Sequence, residues 1–171
     1  ICIVSNIIGN GTVEYLSLNS NIAKINRTTG EIQMLKAGKA TICASIGETD
    51  QYLSYSVYAE FTIEKSPSSF NYSIPNKIFS NQTFVVIPSN IIGNGLFEYS
   101  SSDPTIATID STTGEIQMKK SGTVTICATI GETIYYKSFS VYSNFIIEKA
   151  SSSINFNITN QIFSPVPFVV T

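Results

Sequence analysis

The chain has 171 residues, of which Asp, Glu, Lys and Arg supply only 13%, against roughly 25% in a typical soluble domain. A net charge of -2 with no block of like charge excludes a basic nucleic-acid footprint and a charged tail, and the absence of His removes every His-based triad and metal site. No apolar run approaches the roughly 20 residues of a membrane helix. Ser, Thr and Asn fill the gap, at roughly a third of the chain, so the surface is polar and nearly uncharged. Such a surface suits a face packed into an assembly or one covered by sugar.

From its first residues the chain repeats itself. Ile7-Ile8-Gly9-Asn10-Gly11 recurs as Ile91 to Gly95, Thr28 to Met34 as Thr112 to Met118, Thr41 to Ala44 as Thr125 to Ala128, Ile63 to Lys65 as Ile147 to Lys149, and Ile78 to Ser80 as Ile162 to Ser164. The offset is always 84 residues, without insertion. About 50 of the roughly 87 comparable positions are identical, far beyond chance, and a unit of this length is a whole domain rather than a solenoid turn. Its phase divides the chain into a first unit, 1–65, without its N-terminal strands, a full unit, 66–149, and a third stretch, 150–171, equivalent to the start of a unit.

Within the full unit the alternation of β-branched and aromatic residues predicts strands at Phe70–Ile74, Thr83–Ile87, Phe97–Ser101, Ile106–Asp110, Glu115–Met118, Val124–Thr129 and Phe139–Glu148. Ile106, Ile109, Ile116, Met118, Val124, Ile126 and Ala128 are the expected inward residues. Thr112-Thr113-Gly114 and Ser121-Gly122 are expected turns, with Gly supplying positive φ. Seven short strands with no helix between them predict an antiparallel sandwich. The link Glu64-Lys65-Ser66 has almost no spare length, which favours a stiff rod.

These residues carry a family likeness. Tyr99-Ser100-Ser101-Ser102-Asp103-Pro104-Thr105-Ile106-Ala107-Thr108-Ile109-Asp110, then Thr113 to Ile116 and Ser121 to Ile126, resemble the core of bacterial immunoglobulin-like domains, the repeats of invasin- and intimin-type stalks and of phage tail decorations. The first unit matches at Ile22-Ala23, Ile25-Asn26, Thr29 to Ile32 and Gly38 to Ile42. The resemblance implies an all-β fold of tandem immunoglobulin-like antiparallel β-sandwiches, serving as spacer, stalk or adhesive shaft, with no catalytic residues to carry over.

No cofactor or metal is expected. The aspartates are Asp50, Asp103 and Asp110, without an acidic cluster, where calcium needs several oxygen ligands. Glu31/Glu115, Glu48/Glu132 and Glu64/Glu148 are expected on the solvated surface. Gly9-Asn10-Gly11 and Gly93-Asn94-Gly95 lack the Lys-Ser/Thr and helix of a phosphate loop and are expected to be turns. Cys43 and Cys127 sit in apolar strand patterns, which predicts small buried side chains without a redox role. A Cys2–Cys43 bridge is the alternative, and it would leave Cys127 single, with Val86 where the first unit has Cys2. Paired aromatics at Tyr15/Tyr99, Tyr52/Tyr136, Tyr58/Tyr142 and Phe61/Phe145 are expected to pack in the core and rim, the alternative being a sugar- or partner-binding face.

Five N-glycosylation sequons occur, at Asn10, Asn26, Asn71, Asn81 and Asn157. With the low charge they suggest an extracellular or cell-surface glycoprotein. The chain opens at Ile1 and reads as a segment of something longer, so the lack of a signal peptide says nothing about location. The expected function is structural, in a filament or stalk whose partners are copies of itself, head to tail. Nucleic acid and membrane insertion of this segment are not expected. Two modes of completion stay open: a continuous polyprotein, or donor-strand pairing in which 150–171, with Phe168, Val169 and Val170 in the inter-copy strand, fills the first unit of a neighbour. A ligand-binding adhesin module and a viral or phage fibre decoration are the alternatives.

Overall fold

The computed structural model describes residues 4–158 together with Phe163, Pro165 and Pro167. The described residues form strands and no helix. The first repeat contributes β1 (Val13–Ser17), β2 (Ala23–Ile25), β3 (Ile32–Met34), β4 (Gly38–Ile46) and β5 (Tyr55–Ile63). The second contributes β6 (Ser69–Asn71), β7 (Lys77–Ile78), β8 (Phe84–Val85), β9 (Ser89–Ile92), β10 (Phe97–Ser101), β11 (Ala107–Ile109), β12 (Glu115–Met118), β13 (Gly122–Ile130) and β14 (Phe139–Glu148).

In the second repeat one sheet has the order β10-β13-β14-β7, and β11-β12-β8 lies on the other side of the core, with β6 paired to β9. Strand β13 shows why the alternation in the sequence works. Val124, Ile126, Ala128 and Ile130 are buried, while Thr123, Thr125, Cys127 and Thr129 face outward. They meet Ala107, Ile116 and Met118 from the opposite layer and Phe145 and Ile147 from β14 in one cluster. Ile106 and Ile109 pack at its margin, half-buried.

Most expected strands are present, with altered limits that have local causes. Phe70–Ile74 is a ladder only over Ser69–Asn71. Tyr72 and Ile74 still point inward, but the Ile74 N–H donates to Ser143 Oγ at 2.8 Å and Pro75 follows, so no ladder continues. Ile106 is taken up by the turn before β11, its N–H donating to Asp103 O at 3.0 Å. Strands β7 and β9 were not foreseen from sequence. The sandwich is also not purely antiparallel: β7 runs parallel to β14, Ile147 opposite Lys77 and Glu148 opposite Ile78.

The first repeat reproduces the same local geometry at an offset of 84. β1 pairs with β4 from Val13↔Ile46 to Ser17↔Ile42, as β10 pairs with β13 from Phe97↔Ile130 to Ser101↔Ile126. Its turn between β2 and β3 is closed by Asn26, whose Oδ1 accepts from the Thr28 and Thr29 N–H groups, both at 3.0 Å. Asp110 does this in the second repeat, at 2.9 and 2.7 Å from Thr112 and Thr113. Gly30 and Gly114 both have φ +71°, and a Cβ at Gly114 would stand 3.1 Å from the Tyr99 ring.

Candidate functional site

The two repeats differ in what covers their cores. In the second, the segment from Ser66 to Ile78 runs along the open side of the sandwich. Phe70 sets its ring edge-on to Phe97 (centroids 4.9 Å apart) and to Phe139 (5.7 Å), and Tyr72 lies against Tyr99 at 5.9 Å. Ile74 is buried beyond them. The Asn76 side chain accepts from the Ile146 N–H at 2.9 Å, tying the segment's far end to β14.

In the first repeat the equivalent surface is an open groove. Val13, Tyr55 and Val57 stand where the second repeat has Phe97, Phe139 and Val141, and with Val4, Ala44 and Ile46 they line a cavity of about 320 Å³. The remaining positions follow the same trend. Met34 is 67% exposed where Met118 is 4%, and Phe61 and Ile63 are only half-buried where Phe145 and Ile147 are enclosed. Among the described residues of this repeat, the buried apolar side chains are Ala23, Ala40 and Ile42.

A second feature is the junction between repeats. The Ser66 N–H donates to Tyr135 O (2.8 Å), the Lys137 N–H to Ser66 O (2.9 Å) and the Ala37 N–H to Ile134 O (3.2 Å). Lys65 Nζ pairs with Glu132 Oε1. Strand β14 starts beside this junction and its ten residues carry the chain about 33 Å away from it.

Burial and turn geometry set the titrating groups. The Tyr72 hydroxyl has no hydrogen-bond partner, and burial, with a smaller contribution from Tyr99, pushes its pKa up to about 12. N–H groups of Thr113 and Thr112 hold the Asp110 carboxyl below its ordinary value, and Thr105 does the same for Asp103. Among the described residues no three His, Cys, Asp or Glu side chains gather as a metal site.

All five sequon asparagines are exposed, and they are spread over both repeats and the 150–158 stretch. The six repeated glutamates are exposed as expected. The paired cysteines are a correction. Cys43 and Cys127 are free and only half-buried, because their registers place them on the outward face of β4 and β13, opposite Tyr58 and Tyr142. Tyr58 and Tyr142 are exposed on that same outer face rather than packed. Cys2, Phe168, Val169 and Val170 lie outside the described residues. Ile154, Phe156 and Ile158, within the 150–171 stretch, are exposed and stand 84 positions after Phe70, Tyr72 and Ile74.

The comparison with known proteins agrees with this architecture. Residues 92–132, from the end of β9 to just past β13, match the family model described as "Intimin, immunoglobulin-like domain". An "Ig-like virion protein" of Serratia phage KSP90 is 36% identical over 81 residues, covering 47% of this chain and 30% of that protein. The second repeat is similar to bacterial immunoglobulin-like domains. The chain thus spans under a third of the length of this phage relative. Solved structures to which the chain is similar include the surface-layer protein SbsC, domains 1–6 (14% identity, 86% of this chain and 21% of that one, TM-score 0.39). Another is the C-terminal 282-residue fragment of intimin in complex with the intimin-binding domain of its translocated receptor (17% identity, 82% and 52%, TM-score 0.35).

Proposed function

We propose that the chain is a structural spacer, a run of head-to-tail immunoglobulin-like repeats in an extracellular filament, cell-surface stalk or virion appendage. The observation that carries this reading is the junction. Repeats that share about 50 of roughly 87 comparable positions are joined by a link of a few residues whose backbone is hydrogen-bonded into the next repeat. Main-chain bonds do not depend on side-chain identity, so the same joint can be reused along a series of repeats. The nearly uncharged polar surface suits a shaft and offers no ready site for catalysis. Small-angle scattering of the purified chain tests the reading: a rod two repeats long is expected, and a compact particle or an ensemble of freely hinged shapes overturns it.

A virion decoration is the second reading, favoured by the match to the phage Ig-like virion protein. Both readings place the protein outside a cell or on a particle. There the exposed sequons would carry sugar only in a host that glycosylates Asn-x-Ser/Thr. Intact-mass measurement of the native protein, before and after enzymatic deglycosylation, decides that point.

A further inference from the structure

We propose that the second repeat is built to carry tension along the chain, with the segment Ser66–Phe79 and strand β14 forming a shear clamp between the point where the chain enters the sandwich and the point where it leaves. The proposal rests on the head-to-tail reading above and gives the spacer a mechanical role.

The entering segment and the leaving strand lie side by side in one parallel register. Ser66 is bridged to Tyr136, Lys77 lies opposite Ile147 and Ile78 opposite Glu148, so each partner stands 70 positions further along. Between these points Ser69 and Asn71 turn away to pair with β9. Side chains hold the register where the two backbones part: the Ile74 N–H donates to Ser143 Oγ at 2.8 Å, and the Ile146 N–H to Asn76 Oδ1 at 2.9 Å. Backbone bonds close both ends. At one, the Ser66 N–H donates to Tyr135 O and the Lys137 N–H to Ser66 O; at the other, the Phe79 N–H donates to Glu148 O at 2.8 Å. The Ser68 hydroxyl adds a bond to Lys137 O at 2.6 Å.

Direction decides what these bonds can bear. The chain arrives through Glu64 and Lys65, beside the start of β14, and departs through Lys149, past its end, about 33 Å away. A pull along the chain therefore slides the segment and β14 past each other. The bonds lie across that motion and load together. An antiparallel entering strand would place both attachment points at one end of the sandwich, and the same bonds would open one after another. Sliding also drags Phe70, Tyr72 and Ile74 out of the core, since all three are buried on this segment.

Single-molecule pulling on the full chain tests the clamp by direction alone, with handles coupled at exposed positions. Handles at Glu64 and Lys149 give the shear geometry; handles at Glu64 and Ser138 peel the same bonds from the Ser66 end. Unfolding of the second repeat is recognised in the first geometry by a length gain of about 250 Å. At one constant force, shear is expected to unfold the repeat on the order of a hundredfold more slowly than peeling, as loading two or three bonds at once implies. Asn76→Ala removes one far-end bond and no buried side chain. It is expected to speed unfolding roughly tenfold in shear and to leave peeling unchanged, because peeling is limited by the bonds at Ser66. Equal rates in the two directions, or an Asn76→Ala effect that is the same in both, overturns the clamp. That outcome leaves the head-to-tail reading standing if scattering shows a two-repeat rod, whereas a compact particle in scattering rejects that reading itself.

Discussion

The two repeats are close to a controlled experiment, since about 50 of roughly 87 comparable positions are identical and their strand registers coincide, yet among the described residues one core is covered and the other is not. Ile42 and Ile126, or Ala23 and Ala107, are buried in both. Met34 and Met118, or Phe61 and Phe145, are not, although the residue is the same in each pair. Positions covered by their own neighbouring strands are buried in either repeat. Positions that depend on the segment from Phe70 to Ile74 or on β8 are buried only where those elements are present. Burial here belongs to the whole sandwich and not to the strand.

Truncating the shared phenylalanine should expose the difference most sharply. Phe145→Ala is expected to cost about 3–5 kcal/mol, and Phe61→Ala well under half of that, read from denaturant unfolding of the full chain by circular dichroism. Equal costs would mean that the first core is as closed as the second. Met118→Ala against Met34→Ala repeats the comparison: about 2–5 kcal/mol at the buried site and within about 0.5 kcal/mol at the exposed one.

The turn glycines ask the opposite question, whether local geometry is shared. Gly30→Ala and Gly114→Ala should each cost about 1–2 kcal/mol, because both sit at φ +71° under a tyrosine ring. Unequal losses in the same unfolding assay would show that the two turns differ. Tyr72→Phe should stabilise the second repeat by about 1 kcal/mol, since it removes a buried hydroxyl with no partner. Destabilisation would reveal a partner for that hydroxyl.

The smallest effect separates the repeats by pH. Asp110 closes its turn as a carboxylate, and Asn26 closes the equivalent turn without a charge. Because the folded Asp110 pKa lies below the ordinary 3.8, its contribution is complete above that value and is lost as pH falls through the lower folded value. Asp110→Asn should therefore flatten the acid limb of the second repeat's stability, followed by hydrogen exchange. Asn26→Asp should introduce such a limb into the first. No change on either substitution would mean that the turn does not report on folding.

Much of this was legible beforehand because its causes are local. The limits of β10, β12 and β14 follow from alternation and turn residues, and the Thr-Thr-Gly turn from the need for positive φ. The short edge strands were not legible. β7 and β9 hold two and four residues, β9 is exposed throughout, and Asn90 with φ 51° interrupts any alternation. The outward cysteines were misread from residue type, although the alternation of Val124, Ile126 and Ala128 with Thr123, Thr125 and Cys127 already sets Cys127 on the face away from the core.

By itself the sequence determined the all-β class, the period of 84 residues and most ladders, since each depends on side-chain alternation and turn chemistry within a few residues. Only the tertiary structure decided that β7 runs parallel to β14, and which member of an identical pair such as Met34 and Met118 is buried. Those depend on which distant segment lies across the sandwich, and no local pattern records that.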